Sequence, residues 1–564
     1  MRVSGAIRRR ADRWRVMGLC ILVAGLGLSA TGCGGRSGRP PRARRPAADR
    51  APAAPAPAMP MMSQEVRDQL LDGALDVLGH LENYDEKAAY GQVFDRLNQW
   101  SHAITAGGAA DPWKPDPLLL KLPESLRGTG AEKALASVVF NGTTDVSTLR
   151  DQRWLADVAA SARGPAIQDI DVAQRLFAWT VQSLAVTSDP PMVPTESAPG
   201  TRWFQPGEIL LAGRASAAQR AWIFLDLVRH AGLDGVMLAT GDVSQGTLRP
   251  WIPAVLCGDE VYLFDPGYGL PIPGPNGTGV ATARQAAGDP AILRGMSLPD
   301  RPYPVQAADI ARLTVLVPAT EWSLSRRMHM LDRSLAGTHR IDVSVDASAV
   351  GARALAALPV AEGAPENGAA ERIGLWEFPW LVQQRRSASA AVVETALNKE
   401  LAVMGITLAQ ADGTSSGRRL VRPLYAARVR EFRGELDGPD GAKAVYLLAR
   451  PGNQQIAEAL VGMPPPQADA TKRLYEQMKE DSTYWLGLLT LNEGEAETAV
   501  DYLERMTLQA HPDGPWTDAA RSNLARAKLA LGERAEGVKI LREDTSPQRF
   551  GSRLQADQWE KNQP

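Results

Sequence analysis

Apolar residues recur at helical spacing in the stretch that follows residue 62. Between residues 63 and 108 they return every three or four positions, with one interruption near Asn83-Tyr84-Asp85. A period of 3.6 residues places such side chains on one face of a helix. The pattern therefore predicts a helical hairpin over residues 63–108. The same spacing predicts two further helices, over Leu149–Ala162 and Ile170–Leu184.

The centre of the chain combines one strongly apolar helix with short alternating runs. A long loop, Ser188–Gly213, leads into the helix Ala221–Ala231, which Gly232 is expected to end as a C-cap. A strand and the two arms of a hairpin are predicted next: Gly235–Ala239, Trp251–Leu256 and Val261–Phe264. A buried helix packed on an antiparallel sheet makes residues 109–310 an α+β core.

Beyond the core the pattern mixes both kinds of element. Residues 311–415 are interpreted as a mixed α/β middle region, with a strand over Arg312–Val317 and a helix over Glu321–Leu335. The apolar stripe of that helix is typical of a core contact rather than of a cofactor site.

The tail, residues 416–564, carries an internal repeat with a period of 38 residues. Leucines and small residues return at that interval in five pairs: Leu486 and Leu524, Gly487 and Ala525, Gly494 and Gly532, Ala499 and Gly537, Leu503 and Leu541. The spacing resembles tetratricopeptide repeats, in which each unit is a pair of closely packed helices. That resemblance implies an all-α tail with a concave face for peptides or partner proteins. A plain helical bundle that caps the core is the alternative.

Residues 1–32 have the three-part form of an export signal. An arginine-rich start precedes the apolar run Met17–Leu28, which is shorter than the ~20 residues of a membrane span. The run ends in Ala30-Thr31-Gly32-Cys33, which resembles a lipobox, although Ala30 stands where a leucine is usual. The resemblance implies cleavage before Cys33 and acylation of that cysteine with fatty acids such as palmitate. A plain signal peptide cut near the same place and a retained membrane anchor are the alternatives.

Residues 33–62 consist almost entirely of Gly, Pro, Arg and Ala. Such a segment buries too little apolar surface to offset the entropy of ordering, and its prolines favour extended conformations. We therefore expect a disordered, semi-rigid tether. Signal and tether together predict a lipoprotein anchored in the cell membrane or the outer membrane, with its body facing the periplasm or the exterior.

The charge distribution argues against nucleic acid as a partner. The formal net charge is −2, yet residues 1–62 hold twelve Arg and two Asp, so residues 63–564 carry −12. An acidic body lacks the basic face that a phosphate backbone requires. Of the three cysteines only Cys257 lies in the body, and no histidine spacing or phosphate-binding glycine loop is present. We expect no metal and no other cofactor.

Several motifs in the central block carry a family resemblance. They are Gly213-Arg214-Ala215-Ser216-Ala217, Arg229-His230-Ala231-Gly232-Leu233, Trp251 and Phe264-Asp265-Pro266. Together they resemble the core of transglutaminase-like proteins, over roughly residues 165–270. The resemblance implies a papain-like triad, with Cys at a helix start, His on one strand and Asp on the next. A helix N-terminus is suited to a thiolate because its dipole lowers the pKa of a thiol.

Two of the three triad positions do not hold catalytic residues. The cysteine position falls on Ala217 and the histidine position on Arg249, so that only Asp265 matches the family. An arginine keeps its proton near neutral pH and cannot be a general base. Because the hairpin is expected to bring Asp265 beside Arg249, we predict an ion pair between them.

Ser216 and Cys257 are the two candidates for a replacement nucleophile. Ser216 adjoins Ala217, but Ser216-Ala217-Ala218-Gln219 is typical of a helix capping box. His230 lies about 21 Å along the same helix at 1.5 Å per residue, too far to activate Ser216. Cys257 is expected next to the hairpin turn, roughly 15–20 Å from Asp265 at the rise of a strand, and is interpreted as structural.

The sequence thus predicts a lipid-anchored extracytoplasmic protein with a degenerate, non-catalytic transglutaminase-like core. Its repeats are expected to bind a protein or a cell-envelope component. The alternative is a residual hydrolase or acyltransferase that uses Ser216 as its nucleophile. A third interpretation is a purely structural envelope component whose core binds nothing.

Overall fold

The computed structural model describes ten ranges of the chain: residues 62–106, 113–128, 131–142, 144–188, 203–241, 247–335, 337, 340–359, 370–411 and 418–561. The export signal, Cys33 and the tether up to residue 61 lie outside them. Within these ranges, no helix combines the length and apolar character needed to cross a membrane.

Helices dominate the first half of the described chain. They are α1 Gln64–Gly79, α2 Glu86–Ala106, α3 Glu124–Arg127, α4 Ala131–Ala136, α5 Asp145–Arg163, α6 Asp169–Ser183, α7 Pro206–Ala212, α8 Ala217–His230, α9 Ala283–Gly288, α10 Pro290–Arg294 and α11 Ala307–Ile310. The predicted hairpin is formed by α1 and α2, and α5 and α6 match the two predicted helices. The interpretation of Ser188–Gly213 as a loop is wrong for its last part. There Pro206 opens α7 and Glu208 accepts a hydrogen bond from the Gln205 N–H, which starts a helix.

A six-stranded sheet forms the centre of the fold. The strands of the chain are β1 Ala185–Thr187, β2 Arg214–Ser216, β3 Asp234–Thr240, β4 Arg249–Cys257, β5 Glu260–Asp265, β6 Leu270–Pro271, β7 Thr314–Val317, β8 Ile373–Leu375, β9 Leu408–Ala411 and β10 Arg418–Val421. The order in the large sheet is β6-β5-β4-β3-β7-β8, antiparallel except for the parallel pair β7–β8. Two small pairs, parallel β1–β2 and antiparallel β9–β10, stand apart. The described protein is therefore mixed α and β, in agreement with the predicted α+β class.

The predicted buried helix is α8, which packs on β3 and β4. Three phenylalanine rings mark this contact: Phe177 of α6, Phe224 of α8 and Phe264 of β5 lie with ring centroids 5.1–5.2 Å apart. All three are at most 3% exposed. Gly232 has a positive φ of 81° directly after the helix, as the predicted stop requires.

The middle region contributes to the same sheet as the core. Its helices are α12 Arg326–Asp332, α13 Ala347–Ala357, α14 Glu377–Ala388 and α15 Ala390–Leu401. The helix predicted over Glu321–Leu335 is shorter at both ends. It starts later because Thr320 and Ser323 hydrogen-bond to each other's backbone N–H groups and form a turn. Strands β7 and β8 extend the core sheet, so the sheet continues across the position 310/311.

The C-terminal part of the described chain, residues 423–561, consists of helices joined by short connections. Its helices are α16 Pro423–Phe432, α17 Ala442–Leu448, α18 Asn453–Ala459, α19 Pro465–Asn492, α20 Ala496–Val500, α21 Thr517–Ala530, α22 Arg534–Arg542 and α23 Arg549–Lys561, and a π-helical segment, Asp501–Gln509, continues α20. The 38-residue period is visible in the turns, because Gly494 and Gly532 both have positive φ. A Cβ on Gly487 would lie 2.9 Å from the Cβ of Tyr502, so a glycine is needed for α19 to approach the next helix.

The C-terminal helices pack directly on the core. A Cβ on Gly213 would lie 2.3 Å from the ring of Trp485, and Gly213 has a positive φ of 64°. Beside it, the guanidinium of Arg214 lies 4.2 Å above the ring of Trp516. These contacts place α19 and α21 against the segment that leads into α8.

Candidate functional site

The start of α8 is the position at which the family resemblance expects a nucleophile. Ala217 is the first residue of the helix, and Ser216 is its N-cap. The Ser216 Oγ accepts a hydrogen bond from the Gln219 N–H at 3.3 Å, and the Gln219 side chain accepts one from the Ser216 N–H at 3.0 Å. The predicted capping box is therefore present. Ser216 is fully buried, and its hydroxyl has no hydrogen bond to an imidazole or a carboxylate among the described residues.

Asp265 lies close to this helix start. A Cβ built on Gly267 would be 3.3 Å from Asp265 Oδ1 and 3.5 Å from the Cβ of Ala217, so the two triad positions flank the same glycine. Oδ1 accepts hydrogen bonds from the N–H groups of Gly267 and Tyr268, each at 2.9 Å. Oδ2 accepts a third from the Tyr303 hydroxyl at 2.8 Å. Burial raises the pKa of the Asp265 carboxyl, and these hydrogen bonds lower it only in part.

The partner of Asp265 is Tyr303, and the predicted ion pair with Arg249 is wrong. The β4–β5 ladder ends at Ala254 and Leu263, and Asp265 pairs with Leu270 on the other side. The strands have therefore separated before Arg249 and Asp265 could face each other. Arg249 is exposed at the start of β4, opposite Thr240.

A segment from the far end of the chain covers this site. We call residues 546–554 the cover segment. Its Gly551 approaches Tyr268 so closely that a Cβ there would be 1.7 Å from the Tyr268 carbonyl oxygen. Phe550 stacks on the Tyr268 ring at 6.5 Å, and Arg553 binds Asp300 at 2.9 Å. Under this segment Asp265, Tyr268 and Tyr303 are at most 8% exposed.

A buried arginine connects the helix start to the cover segment. Arg220 of α8 is 1% exposed and donates to the backbone carbonyls of Leu184 and Pro266. Its Nη1 also donates to Gln548 Oε1 at 2.7 Å. Neutral oxygens therefore solvate this guanidinium, and burial lowers the pKa of Arg220 to about 9. The contacts bind three distant parts of the chain into one closed site.

Two other candidate catalytic side chains, His230 and Cys257, lie away from Ser216. The Nε2 of His230 lies 2.9 Å from Gln152 Oε1, and its Nδ1 accepts a hydrogen bond from the Asp342 N–H at 3.4 Å. These contacts belong to a neutral imidazole, and burial lowers the pKa of His230. Cys257 ends β4 beside the turn at Gly258, and burial raises the pKa of its thiol to about 12. Neither residue is placed to act on Ser216.

A second candidate site is a cavity of about 530 Å³ beside α5 and α8, which we call the α5–α8 cavity. Its charged lining residues are mostly paired: Arg327 with Asp145 at 2.7 Å, and Arg386 with Glu208 at 2.7 Å. Asp226 on its wall is 3% exposed, and burial raises the pKa of this carboxyl to about 6. Asp226 also pairs with Arg229 at 3.1 Å. These paired charges leave the cavity suited to a polar ligand of low net charge.

Comparison with protein-family models, with curated proteins and with solved structures gave no match for this chain. The candidate sites are therefore defined by their geometry alone.

Several residues of the closed site were missed by sequence reasoning. Tyr303 lies in a loop 38 positions after Asp265, and Gln548 is more than 280 positions away. No local pattern could connect either to the site. Arg220 and Asp226 had a detectable signal, because each is a charged residue inside an otherwise apolar helix whose neighbours are all buried.

We expect Asp265→Asn to become more stable than the wild type as the pH rises. Because folding raises the pKa of Asp265 above its unfolded value of 3.8, the charged carboxylate costs stability once the pH passes that value. The stability of the variant relative to the wild type should therefore rise as the pH is raised above 3.8. Urea unfolding at several pH values measures it.

Asp300→Asn is the matched control with the opposite sign. Its hydrogen bond with Arg553 lowers the pKa of Asp300, so the wild-type carboxylate contributes stability that is lost as the pH falls. A pH-independent difference for Asp265→Asn, or the same slope in both variants, would contradict the buried environment of Asp265.

Proposed function

We propose that this chain is an exported, lipid-anchored protein whose transglutaminase-like core is not catalytic and serves as a binding scaffold at the cell envelope. The closed Asp265 site carries the proposal. The Asp265 carboxylate accepts hydrogen bonds from Gly267, Tyr268 and Tyr303, and the cover segment lies over it. A substrate carbonyl would find neither a nucleophile at Ala217 nor a base beside Asp265.

The geometry of the site supports the family resemblance, although the site lacks the residues that the catalytic chemistry needs. Ala217 at the helix start and Asp265 at the strand end flank Gly267, which is the arrangement expected of the first and third triad positions. The arrangement differs from that of the family at the histidine position. Tyr303 is the side chain that binds Asp265, and Arg249 faces solvent. A tyrosine hydroxyl donates to the carboxylate and cannot relay a proton as an imidazole does near neutral pH.

The Ser216 hydrolase is disfavoured by the same contacts. A serine nucleophile needs a general base within hydrogen-bond reach, and the Ser216 hydroxyl is used to cap α8. Incubation of the full chain with a fluorophosphonate probe, followed by mass-spectrometric mapping, tests this directly. We expect no adduct on Ser216, with Ser216→Ala as the control for background labelling. An adduct on Ser216 would overturn the proposal.

The helix pairs around Gly494 and Gly532 are proposed to be tetratricopeptide-like units that bind the envelope component. They repeat with the same 38-residue spacing and the same close helix approach at small residues. Glu497 and Ala535 are exposed and occupy equivalent positions of the two units. A photo-crosslinking residue at either position in the full chain should capture a discrete envelope component in cells. The exposed Gln92 of α2 is the control position, and equal capture there would contradict a specific repeat surface.

We expect Cys33→Ser to abolish acylation of the chain. Without the thiol no acyl chain can be attached at this position. Metabolic labelling with an alkyne analogue of palmitate should mark the wild type and not the variant. Cys20→Ser, which changes a cysteine inside the apolar leader, should be labelled like the wild type. Labelling that survives in Cys33→Ser would refute the lipobox assignment.

A further inference from the structure

Arg526 of α21 is a half-buried cation without a carboxylate partner. Its Nη1 donates to Asn523 Oδ1 at 2.9 Å, and no ion pair to it occurs among the described residues. Several other arginines of the C-terminal helices do form ion pairs, such as Arg428 with Glu431 at 2.7 Å and Arg542 with Asp557 at 2.5 Å. Buried charges in proteins are normally paired or bound to a ligand, so an isolated guanidinium at this depth calls for an explanation.

A second cation makes the local charge excess larger. Arg220 lies near enough to Arg526 for electrostatic repulsion between the two guanidinium groups to lower the pKa of Arg220. The hydrogen-bond partners of Arg220 are neutral oxygens. Burial lowers the pKa of Arg526 to about 10, which still leaves it charged at neutral pH. Arg220 and Arg526 thus form a pair of neighbouring positive charges, and no acid binds either of them in the described chain.

Arg526 lines a cavity of about 260 Å³, which we call the α6–α21 cavity. The apolar part of its lining includes Phe177 and Val181 of α6, Phe264 of β5 and Leu270 of β6. Three glutamine side chains, Gln174, Gln182 and Gln555, also line it, and Arg526 is its one charged lining residue in the described chain. A cavity with apolar walls and a single convergent charge is typical of a small-molecule site.

We propose that the α6–α21 cavity binds a small apolar carboxylic acid, with its carboxylate on the Arg526 guanidinium and its hydrocarbon body against Phe177, Val181 and Leu270. The planar guanidinium matches a carboxylate through two parallel hydrogen bonds. Apolar walls disfavour strongly hydrated inorganic anions, which cannot replace their water shell there. The volume of about 260 Å³ is slightly below the ~300–1,000 Å³ of typical ligand pockets, so the ligand has to be small.

The test uses 3-phenylpropionate as the probe and 3-phenylpropionamide as its uncharged counterpart. The full chain in lipid nanodiscs is titrated by calorimetry, and the heat from empty nanodiscs is subtracted. We expect the acid to bind the wild type and the amide to bind about tenfold to a hundredfold more weakly, since a charge-assisted contact is lost. Arg526→Gln should weaken the acid by a similar factor, and Arg526→Lys should retain part of the affinity.

Two further variants separate the charge from the cavity. Arg521→Gln removes a cation from the same helix that pairs with Asp518 instead, and it should bind the acid like the wild type. Ala178→Phe fills the cavity from an exposed lining position and should abolish binding with Arg526 intact. Equal binding of acid and amide, full affinity in Ala178→Phe, or displacement of the acid by an equal concentration of sulfate would each overturn the proposal. If circular dichroism shows Arg526→Gln to be unfolded, the acid–amide comparison and Ala178→Phe decide.

Discussion

Replacing Arg327 with methionine is expected to lower the free energy of unfolding by about 3–5 kcal/mol. Arg327 binds the fully buried Asp145 through two hydrogen bonds, at 2.7 and 2.9 Å. Methionine removes the guanidinium and leaves a carboxylate in the interior, with the Asn141 N–H as its remaining hydrogen-bond donor among the described residues. Urea unfolding at neutral pH, monitored by tryptophan fluorescence, measures the loss.

A double variant separates the unpaired charge from the lost packing. Asp145→Asn in the Arg327→Met background removes the stranded charge, so it should recover a large part of the lost stability. Arg505→Met breaks a surface pair with Asp501 and serves as the control, with no measurable change expected. If Arg327→Met is as harmless as Arg505→Met, the buried pair does not support the fold.

Gly551→Ala is expected to lower the free energy of unfolding by about 1–3 kcal/mol and to loosen the cover segment. The added methyl group would meet the Tyr268 carbonyl at 1.7 Å, and a backbone oxygen cannot rotate away as a flexible side chain can. Either α23 or the Tyr268 turn has to move. Hydrogen exchange by mass spectrometry should therefore show faster exchange in residues 546–554 and around Tyr268.

Gly91→Ala is a matched control for Gly551→Ala. Both glycines lie in helices, but a Cβ on Gly91 meets nothing within 4 Å. That substitution should raise stability by up to ~1 kcal/mol, because alanine loses less backbone entropy in a helix. Unchanged exchange in the cover segment of Gly551→Ala would mean that α23 does not hold the Asp265 site closed.

Local patterns were sufficient for much of the secondary structure. The hairpin of α1 and α2, the buried helix α8 and the β4–β5 hairpin follow from apolar spacing and from turn glycines such as Gly258. Each of these signals lies within one element or one turn, so neighbours in the sequence determine it. The helix α7 and the early turn at Thr320–Ser323 were missed because side-chain capping overrides apolar spacing over a few residues.

For the candidate site too, residue type was sufficient for some predictions, whereas others depended on the tertiary structure. From the sequence alone, Ala217 and Arg249 exclude the usual nucleophile and base, because residue type by itself decides what can exchange a proton. The wrong ion pair between Arg249 and Asp265 came from extending the hairpin register past its end. The ladder stops at Ala254 and Leu263, where the strands separate. The residue types in the two strands do not indicate where this separation occurs.

Local patterns in the sequence predict the helices, the hairpins, the export and acylation signals and, through the family resemblance, a core without the usual nucleophile and base. Packing of distant segments brings Tyr303 to Asp265 and Gln548 to Arg220, and it places Arg526 beside the α6–α21 cavity. These contacts join residues separated by 38 to more than 300 positions. Periodicity and capping act within a few turns of chain, whereas such pairs form only when packing of the whole core brings distant segments together.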